Sequence, residues 1–374
     1  MKVLYYIHSL TVGGAETIVT NYLIALKGHG VDVALVVNNK ANTFLEDRIN
    51  HANIKIYQLN SDAPTKMIKK ICWRIKNKFI SYRKKFNHII DLEKPDLLHI
   101  HTYVDRIGDI EFPANKIFYS FHTDVRRSLS LSGKRNYRIL QEWANKKLNF
   151  FALSEKMKKD IQSCFHTNQV FVLHNGIDLD DVRKKRYDRN NFLSSIGIPN
   201  NSFVLGHIGR FHPVKNHERI VDIFKTLHEK QNNSYLLLIG GDVDDRIEKI
   251  KGRVSDYGLS EYVRFLGIRD DATSIINCFD AFILPSFTEG FPLVLVESQA
   301  LKVRSVVSDC VPEDICCNNN CFRISLNQSD ADWVELLLSD SICKSTRDLE
   351  LFDIRNIVKL LIMYYCEAMG ESIA

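Results

Sequence analysis

Two successive α/β units, each built on a parallel sheet, are what the order of apolar segments predicts for this chain. Three observations carry that expectation. Short apolar runs of strand length alternate with stretches whose apolar residues recur every three or four positions, along nearly all of the 374 residues. Parallel strands need a crossover between them, and a strand–helix alternation is its trace in sequence. The rhythm breaks once, at residues 180–201, where Arg183, Lys184, Lys185, Arg186, Asn190 and Asn191 make a polar stretch with no strand, and then starts again. The length suits two units of about 100–200 residues each.

The elements follow in order. Residues 2–8 are an apolar run of strand type. Residues 16–27 place Ile18, Val19, Tyr22, Leu23 and Leu26 at helical spacing. Strands are expected at 31–37, entered through Gly28 and Gly30, and at 54–59, 96–101, 116–120 and 149–153, with helical stretches between them. The second unit repeats the pattern: strand 202–208, helix 218–230, strand 235–239, helix 247–257, short strands 263–265, 281–284 and 305–307, and helix 293–301. We therefore expect a first domain over 1–182, joined by a final helix within 354–374 that crosses back to it, and a second domain over 190–353.

Composition narrows the class. The chain is 45% hydrophobic and 25% charged, values typical of a globular protein and not of a disordered one. No run approaches the roughly 18 apolar residues of a membrane span; the best, 357–366, is broken by Lys359. The first residues lead directly into Gly13–Gly14–Ala15–Glu16 without a cleavage-type spacer, so a cytosolic protein is expected. Nine cysteines, an odd number, then read as reduced thiols. Cys310, Cys316, Cys317 and Cys321 cluster, but their spacing fits no common zinc pattern, and a thiol-bearing loop is the plainer reading. Charge is uneven. Residues 1–182 hold 27 basic and 18 acidic residues, the remainder 23 and 27, which points an anionic surface or ligand at the first half.

Open parallel sheets bind ligands beyond the carboxyl ends of their strands, so a motif gains meaning where it follows a strand. Gly13–Gly14 follows the first strand and opens a helix, a turn suited to phosphate. It is not a dinucleotide fingerprint. No third glycine follows, and the second strand ends in Asn38–Asn39 rather than an acid. Arg210 and Lys215 leave the strand that opens the second half, five residues apart. They read either as solvated loop cations or as a clamp on a diphosphate. The segment SFTEGFPLVLVE, 286–297, carries most information. Glu289 follows a strand, Gly290 turns the chain, and Glu297 lies eight residues on, a little over two helical turns deeper. Carboxylates accept hydrogen bonds from vicinal hydroxyls, so two so placed suit a sugar and a ribose. The N–H groups of Gly290, Phe291, Pro292 and Leu293, proline's excepted, suit the phosphate between them. Asp242–Val243–Asp244–Asp245 has the look of a metal-binding D-x-D but sits in the second domain. His99 and His101 share a strand face, as packing residues, a metal pair or, for His101, a cleft lining.

Taken together, SLTVGGAE, FHTD, HNGID, GRFHPVKNH, VRFLGIRDD and EGFPLVLVE followed by Ser308–Asp309 span nearly the whole chain. In that order they resemble the family-4 retaining glycosyltransferases of the GT-B fold, most closely those that build bacterial capsule, exopolysaccharide or O-antigen. The chain departs from the family at residues 301–305, where a Gly or Pro is usual, and at Val311–Pro312–Glu313. The resemblance implies two Rossmann-like domains facing across a cleft. It implies that Glu289 holds the sugar hydroxyls, Glu297 the ribose, and Arg210 with Lys215 the diphosphate. Gly13 and Gly14 would approach the diphosphate, His122 would sit by the transferred sugar, and Ile268 and Arg269 would lie along the base. It implies retention of configuration, and no cofactor. Two cations and helix N–H groups stabilise the leaving diphosphate, so a divalent metal is unnecessary.

Between Lys66 and Ile90 lie Lys66, Lys69, Lys70, Arg74, Lys76, Lys78, Arg83, Lys84 and Lys85 and no acid. Ile68, Ile71, Ile75, Phe79, Tyr82, Phe86 and Ile89 step by three or four among them. This basic amphipathic helix either docks on the first sheet or meets an anionic membrane. No nucleic-acid recognition motif accompanies the charge. The sequence is thus read as a hexosyltransferase, peripheral on the inner face of the plasma membrane. It is expected to move sugar from a nucleotide donor, UDP-linked, to a polyprenyl-linked glycan. The rival readings are a sugar-nucleotide epimerase of the same fold and a non-catalytic sugar-nucleotide-binding subunit.

Overall fold

The structure, a computed structural model, describes residues 1–60, 82–108, 110–340 and 348–371. The chain divides into two compact units, Met1–Gly176 with Ile354–Ala374, and Ile177–Asp353.

The first unit is a seven-stranded sheet in the order β3-β2-β1-β4-β5-β6-β7, parallel throughout. Its strands are β1 Lys2–Ile7, β2 Asp32–Val37, β3 Lys55–Gln58, β4 Leu97–Ile100, β5 Ile117–Ser120, β6 Asn149–Ala152 and β7 Val170–Val172. The central strands are buried along almost their whole length, as expected of a sheet covered on both faces. Helices α1 Gly14–Gly28, α2 Phe44–His51, α3 Tyr82–Glu93, α4 Val125–Ala144 and α5 Glu155–Phe165 cross between strands. Gly133 interrupts α4 with φ 79°, ψ 167°.

The second unit is a six-stranded parallel sheet in the order β10-β9-β8-β11-β12-β13. Here β8 is Phe203–Ile208, β9 Ser234–Ile239, β10 Val263–Gly267, β11 Ala281–Leu284, β12 Arg304–Ser308 and β13 Cys321–Ile324. Its helices are α6 Leu179–Lys184, α7 Arg189–Ser195, α8 His217–Lys230, α9 Arg246–Asp256, α10 Ala272–Ile276, α11 Leu293–Ala300 and α12 Asp330–Leu338. Ile220, Val221, Ile223, Phe224 and Leu227 of α8 pack with Leu205, Leu236, Leu238, Ile283 and Trp333 into one core.

The division falls after Gly176, earlier than the 182 expected, because α6 buries Leu179 and Val182 and packs on α11. The last helix, α13 Ile354–Met369, belongs to the first unit and packs on α1, where Tyr365 is fully enclosed. Of the basic segment expected over 66–90, residues 66–81 lie outside the described residues. The part in α3 buries Phe86, Ile89 and Ile90 in the first unit. Lys85 turns in to donate to the Leu59 carbonyl at 2.6 Å, leaving Arg83 and Lys84 exposed. For these residues the docked-helix reading holds. The apolar face is occupied by the domain's own core.

Candidate active site

In the second sheet the order turns back between β8 and β11, which makes the crevice at their carboxyl ends a topological switch point. The chain leaving β8 stays paired beyond the strand. Gly209 N–H donates to Ile239 O at 2.9 Å and Phe211 N–H to Gly241 O at 2.8 Å. Gly240 has φ +153°, and a Cβ there would lie 2.0 Å from Gly209 O, so these backbones meet at a distance only glycine permits. Arg210 sits at this edge, exposed, with no ion pair among the described residues.

A 3-10 turn, Pro213–Lys215, follows, its start capped by His212 Nδ1 accepting from Val214 N–H at 3.2 Å. Asn216 ends it in the left-handed region, φ 57°, and donates from Nδ2 to Pro285 O at 3.1 Å. Phe287 N–H donates to Val214 O at 2.9 Å. These two bonds stitch the loop after β8 to the loop after β11. The result is an ion pair across the crevice, Lys215 Nζ to Glu289 Oε1 at 2.6 Å, with side chains 21% and 10% exposed. The Lys215 stem lies over Gly209, where a Cβ would stand 3.4 Å from its Cδ and Cε. Sequence spacing gave no hint of this pairing, since the two residues are 74 positions apart.

Helix α11 begins at Leu293 with Pro292 at its cap and no side-chain hydrogen bond closing it. Gly290 leads into it, while Phe291 and Pro292 are buried, the Phe291 ring edge-on to Phe352 at 5.1 Å. One turn into the helix and beyond, Glu297 Oε1 accepts from Thr273 Oγ1 at 3.2 Å. Burial pushes the Glu297 carboxyl up to about 7, opposed in part by the Thr273 bond. Ile268 follows β10 and is 63% exposed, its Cδ1 beside Gly241. Arg269 is clamped by both oxygens of Asp271, at 2.7 and 2.5 Å, and Tyr187 Oη donates to the same carboxylate. Asp242, first of the D-x-D, accepts the Ile247 N–H at 3.1 Å and so supports the start of α9.

In the first sheet the order turns between β1 and β4. Gly13 and Gly14 stand after β1 at the start of α1. Gly14 is open, with nothing within 4 Å of a Cβ position. At Gly13 a Cβ would meet Glu16 Oε2 at 2.5 Å, because the Glu16 carboxylate folds back over the helix start, where Thr11 Oγ1 donates to it at 3.2 Å. His122 follows β5, two strands from β1. It is joined through Nε2 to His101 Nδ1 at 2.9 Å. Burial lowers the His122 imidazole to about 4 and holds His99 and His101 well below their ordinary range, so all three rings are neutral near pH 7. His99 is a packing residue, 0% exposed, with Nε2 to Ser120 Oγ at 2.8 Å and Nδ1 to Tyr365 Oη at 2.5 Å.

Sequence reasoning missed the His101–His122 contact, Thr273 beneath Glu297, Asp271 on Arg269, and Glu16 over Gly13. Glu16 was the accessible one: three residues past a glycine turn is the position from which a side chain reaches a helix start.

Comparison with known proteins covers most of the chain. The family described as Glycosyltransferase Family 4 matches residues 12–181, and that described as Glycosyl transferases group 1 matches residues 188–340. A Bacillus subtilis protein named EpsF and described as a glycosyltransferase is 31% identical over 178 residues, 47% of this chain and 46% of that protein. An Escherichia coli UDP-Gal:alpha-D-GlcNAc-diphosphoundecaprenol alpha-1,3-galactosyltransferase is 25% identical over 268 residues, 68% of this chain and 66% of that enzyme. The matches thus span about half to two thirds of those relatives. Among solved structures, Anabaena HepE in complex with UDP and glucose superposes with a TM-score of 0.74 at 16% identity, covering 99% of this chain and 96% of HepE.

Proposed function

The chain belongs to the family-4 glycosyltransferases of the GT-B fold, and from that membership we propose that it transfers a sugar, with retention, from a UDP-linked donor to a polyprenyl-linked glycan in bacterial surface polysaccharide synthesis. The observation that carries the reading is the Lys215–Glu289 pair at the switch point of the second sheet, with Arg210 exposed on the same loop as Lys215 and an uncapped helix start following Glu289. The donor class is supported by HepE, whose complex holds UDP and glucose, and the acceptor class by the galactosyltransferase named for a diphosphoundecaprenol substrate.

The roles follow from charge. Breaking the sugar–phosphate bond leaves positive charge on the sugar and puts negative charge on the diphosphate. Arg210 and the N–H groups of Gly290, Phe291 and Leu293 stabilise that negative charge. Lys215 has three N–H donors, so it can keep Glu289 and take a phosphate oxygen at once. The same pair holds the Glu289 carboxylate ready to accept from sugar hydroxyls. Glu297 accepts from the ribose, Ile268 and the Arg269 backbone flank the base, and Gly13 and Gly14, at the start of α1, are assigned to phosphate. His122 meets the transferred sugar. No dedicated nucleophile is assigned, and the acceptor hydroxyl attacks the face that the diphosphate leaves. Among the described residues no helix is long and apolar enough to cross a membrane. We assign contact with anionic lipid, at the inner face of the plasma membrane, to the cations of segment 66–90.

The test is incubation with a panel of nucleotide sugars and a polyprenyl-diphosphate-linked acceptor, with and without excess chelator. UDP release that needs acceptor, persists in chelator and gives a product of the donor's anomeric configuration is expected. Release that requires magnesium overturns the electrostatic mechanism, and an epimerised nucleotide sugar without transfer moves the protein to the rival activity.

A further inference from the structure

We propose that His101 is a positioning residue for His122, anchoring its ring through Nε2 so that Nδ1 is the atom that meets the transferred sugar. The inference rests on the assignment of His122 to the sugar made above. His101 follows β4 and is only 6% exposed, whereas His122 is half-buried, so of the two rings it is His122 that has surface to offer a ligand. Its ring is held on three sides. His99 lies 4.0 Å away, Tyr5 stacks at 5.3 Å and 14°, and His122 stacks at 5.1 Å and 25°. The neighbours are themselves fixed, because Tyr5 Oη meets Tyr365 Oη at 2.7 Å and Tyr365 Oη meets His99 Nδ1 at 2.5 Å. The C-terminal helix therefore braces the stack that ends at His122.

Two neutral imidazoles joined at 2.9 Å share one proton between His101 Nδ1 and His122 Nε2, so the tautomer of one ring sets the tautomer of the other. Whichever ring donates, His122 Nε2 is engaged and only Nδ1 remains to address a hydroxyl. The two outer nitrogens, His101 Nε2 and His122 Nδ1, are buried and meet no partner among the described residues. A buried polar atom left unmet is costly, and at a ligand site it is the mark of a partner that arrives with the ligand. A sugar hydroxyl at Nδ1 supplies that partner, and its donor or acceptor sense is dictated by His101.

The experiment compares His101→Leu, His101→Asn and His101→Gln, each checked for folding by thermal melting, with transfer kinetics and with nitrogen NMR of the histidine rings. Asn places a polar atom where Nδ1 stood, and Gln places it one bond further. We expect His101→Leu to lower kcat by about tenfold to a hundredfold, the scale of a misplaced reacting group, with a much smaller change in donor KM. His101→Asn should recover most of the rate and His101→Gln should not. In the parent the His122 nitrogens should report one neutral tautomer, and in His101→Leu a mixture. Adding His101→Leu to His122→Ala should cost nothing further. A silent His101→Leu beside an impaired His122→Ala overturns this inference alone, as do additive losses or an unchanged tautomer. A His122→Ala enzyme with the parental rate removes His122 from the sugar, and the inference with it, while the NMR still reads the bond between the rings.

Discussion

Replacing Glu297 by Gln should stabilise the free protein and weaken its hold on the donor. The carboxyl is pushed from its ordinary 4.5 to about 7 by burial, against only one hydrogen bond, from Thr273 at 3.2 Å. The unfolded chain ionises Glu297 near 4.5 and the folded chain near 7. The folded state is therefore penalised progressively as pH rises between those values, and fully above 7. A displacement of that size corresponds to at most about 3 kcal/mol, and the residue's partial exposure brings the expectation to about 1–3 kcal/mol. Glu297→Gln should thus raise the unfolding free energy by that amount at pH 8 and leave it unchanged at pH 4, where both states of the parent are protonated. Donor binding should move the other way. A ribose diol donates best to a carboxylate, so the parent should release a proton on binding UDP below pH 7, and its affinity should fall as pH drops from 8 to 6. The variant should bind more weakly by about 1–3 kcal/mol at pH 8, the scale of a lost charged hydrogen bond, and show no pH dependence of that origin. Calorimetry in two buffers of different ionisation enthalpy, with melts across the same pH range, measures all of this. A parent that binds UDP equally at pH 6 and pH 8 without proton release refutes the ribose role. A variant no more stable than the parent at pH 8 refutes the burial argument.

Arg210→Ala should cost on the order of 10²–10³ in turnover, and Lys215→Ala a similar factor. The double variant should lose less than the product of the two if both grip one phosphate group; independent losses would place them on different groups. Gly240→Ala should lose more than about 3 kcal/mol of stability in denaturant melts, because its Cβ would stand 2.0 Å from Gly209 O at φ +153°; a melt like the parent's would show that the β8 and β9 loops part freely. Glu93 is buried, which alone would raise it, yet hydrogen bonds from Lys2, Tyr57 and Lys55 hold it at about 2. Its stabilisation, about 3 kcal/mol, is present above pH 4.5 and lost as pH falls towards 2. Glu93→Gln should therefore destabilise at pH 7 and be neutral near pH 2. Replacing Lys69, Lys70, Lys78 and Lys84 by Glu should abolish salt-sensitive binding to anionic vesicles, at about 1 kcal/mol per cation near the surface; equal binding by variant and parent removes the membrane contact.

How far the sequence carried the reading depended on whether the signal was local. Strand β11 was placed at 281–284 to the residue, and β1, β8 and α8 within one, because a buried parallel strand writes an unbroken apolar run and a docked helix a clear three-to-four spacing. β7 and β13 were not read. They are three- and four-residue edge strands, and the exposed Arg323 in β13 breaks any apolar run. The motif residues fell after strands as expected, since a strand-to-helix turn is a local event. What could not be read was which loops meet. Lys215 finds Glu289 only because Asn216 adopts a left-handed turn and reaches the Pro285 carbonyl, and nothing in either loop's sequence names the other. The histidines show the same limit. Alternation put His99 and His101 on one face, but it could not tell that one would be locked to Tyr365 and the other to His122. That difference separates a packing residue from one that sets a neighbour's chemistry. It arises because β4 lies beside β5, so the end of one strand carries His101 to where the loop after the other carries His122.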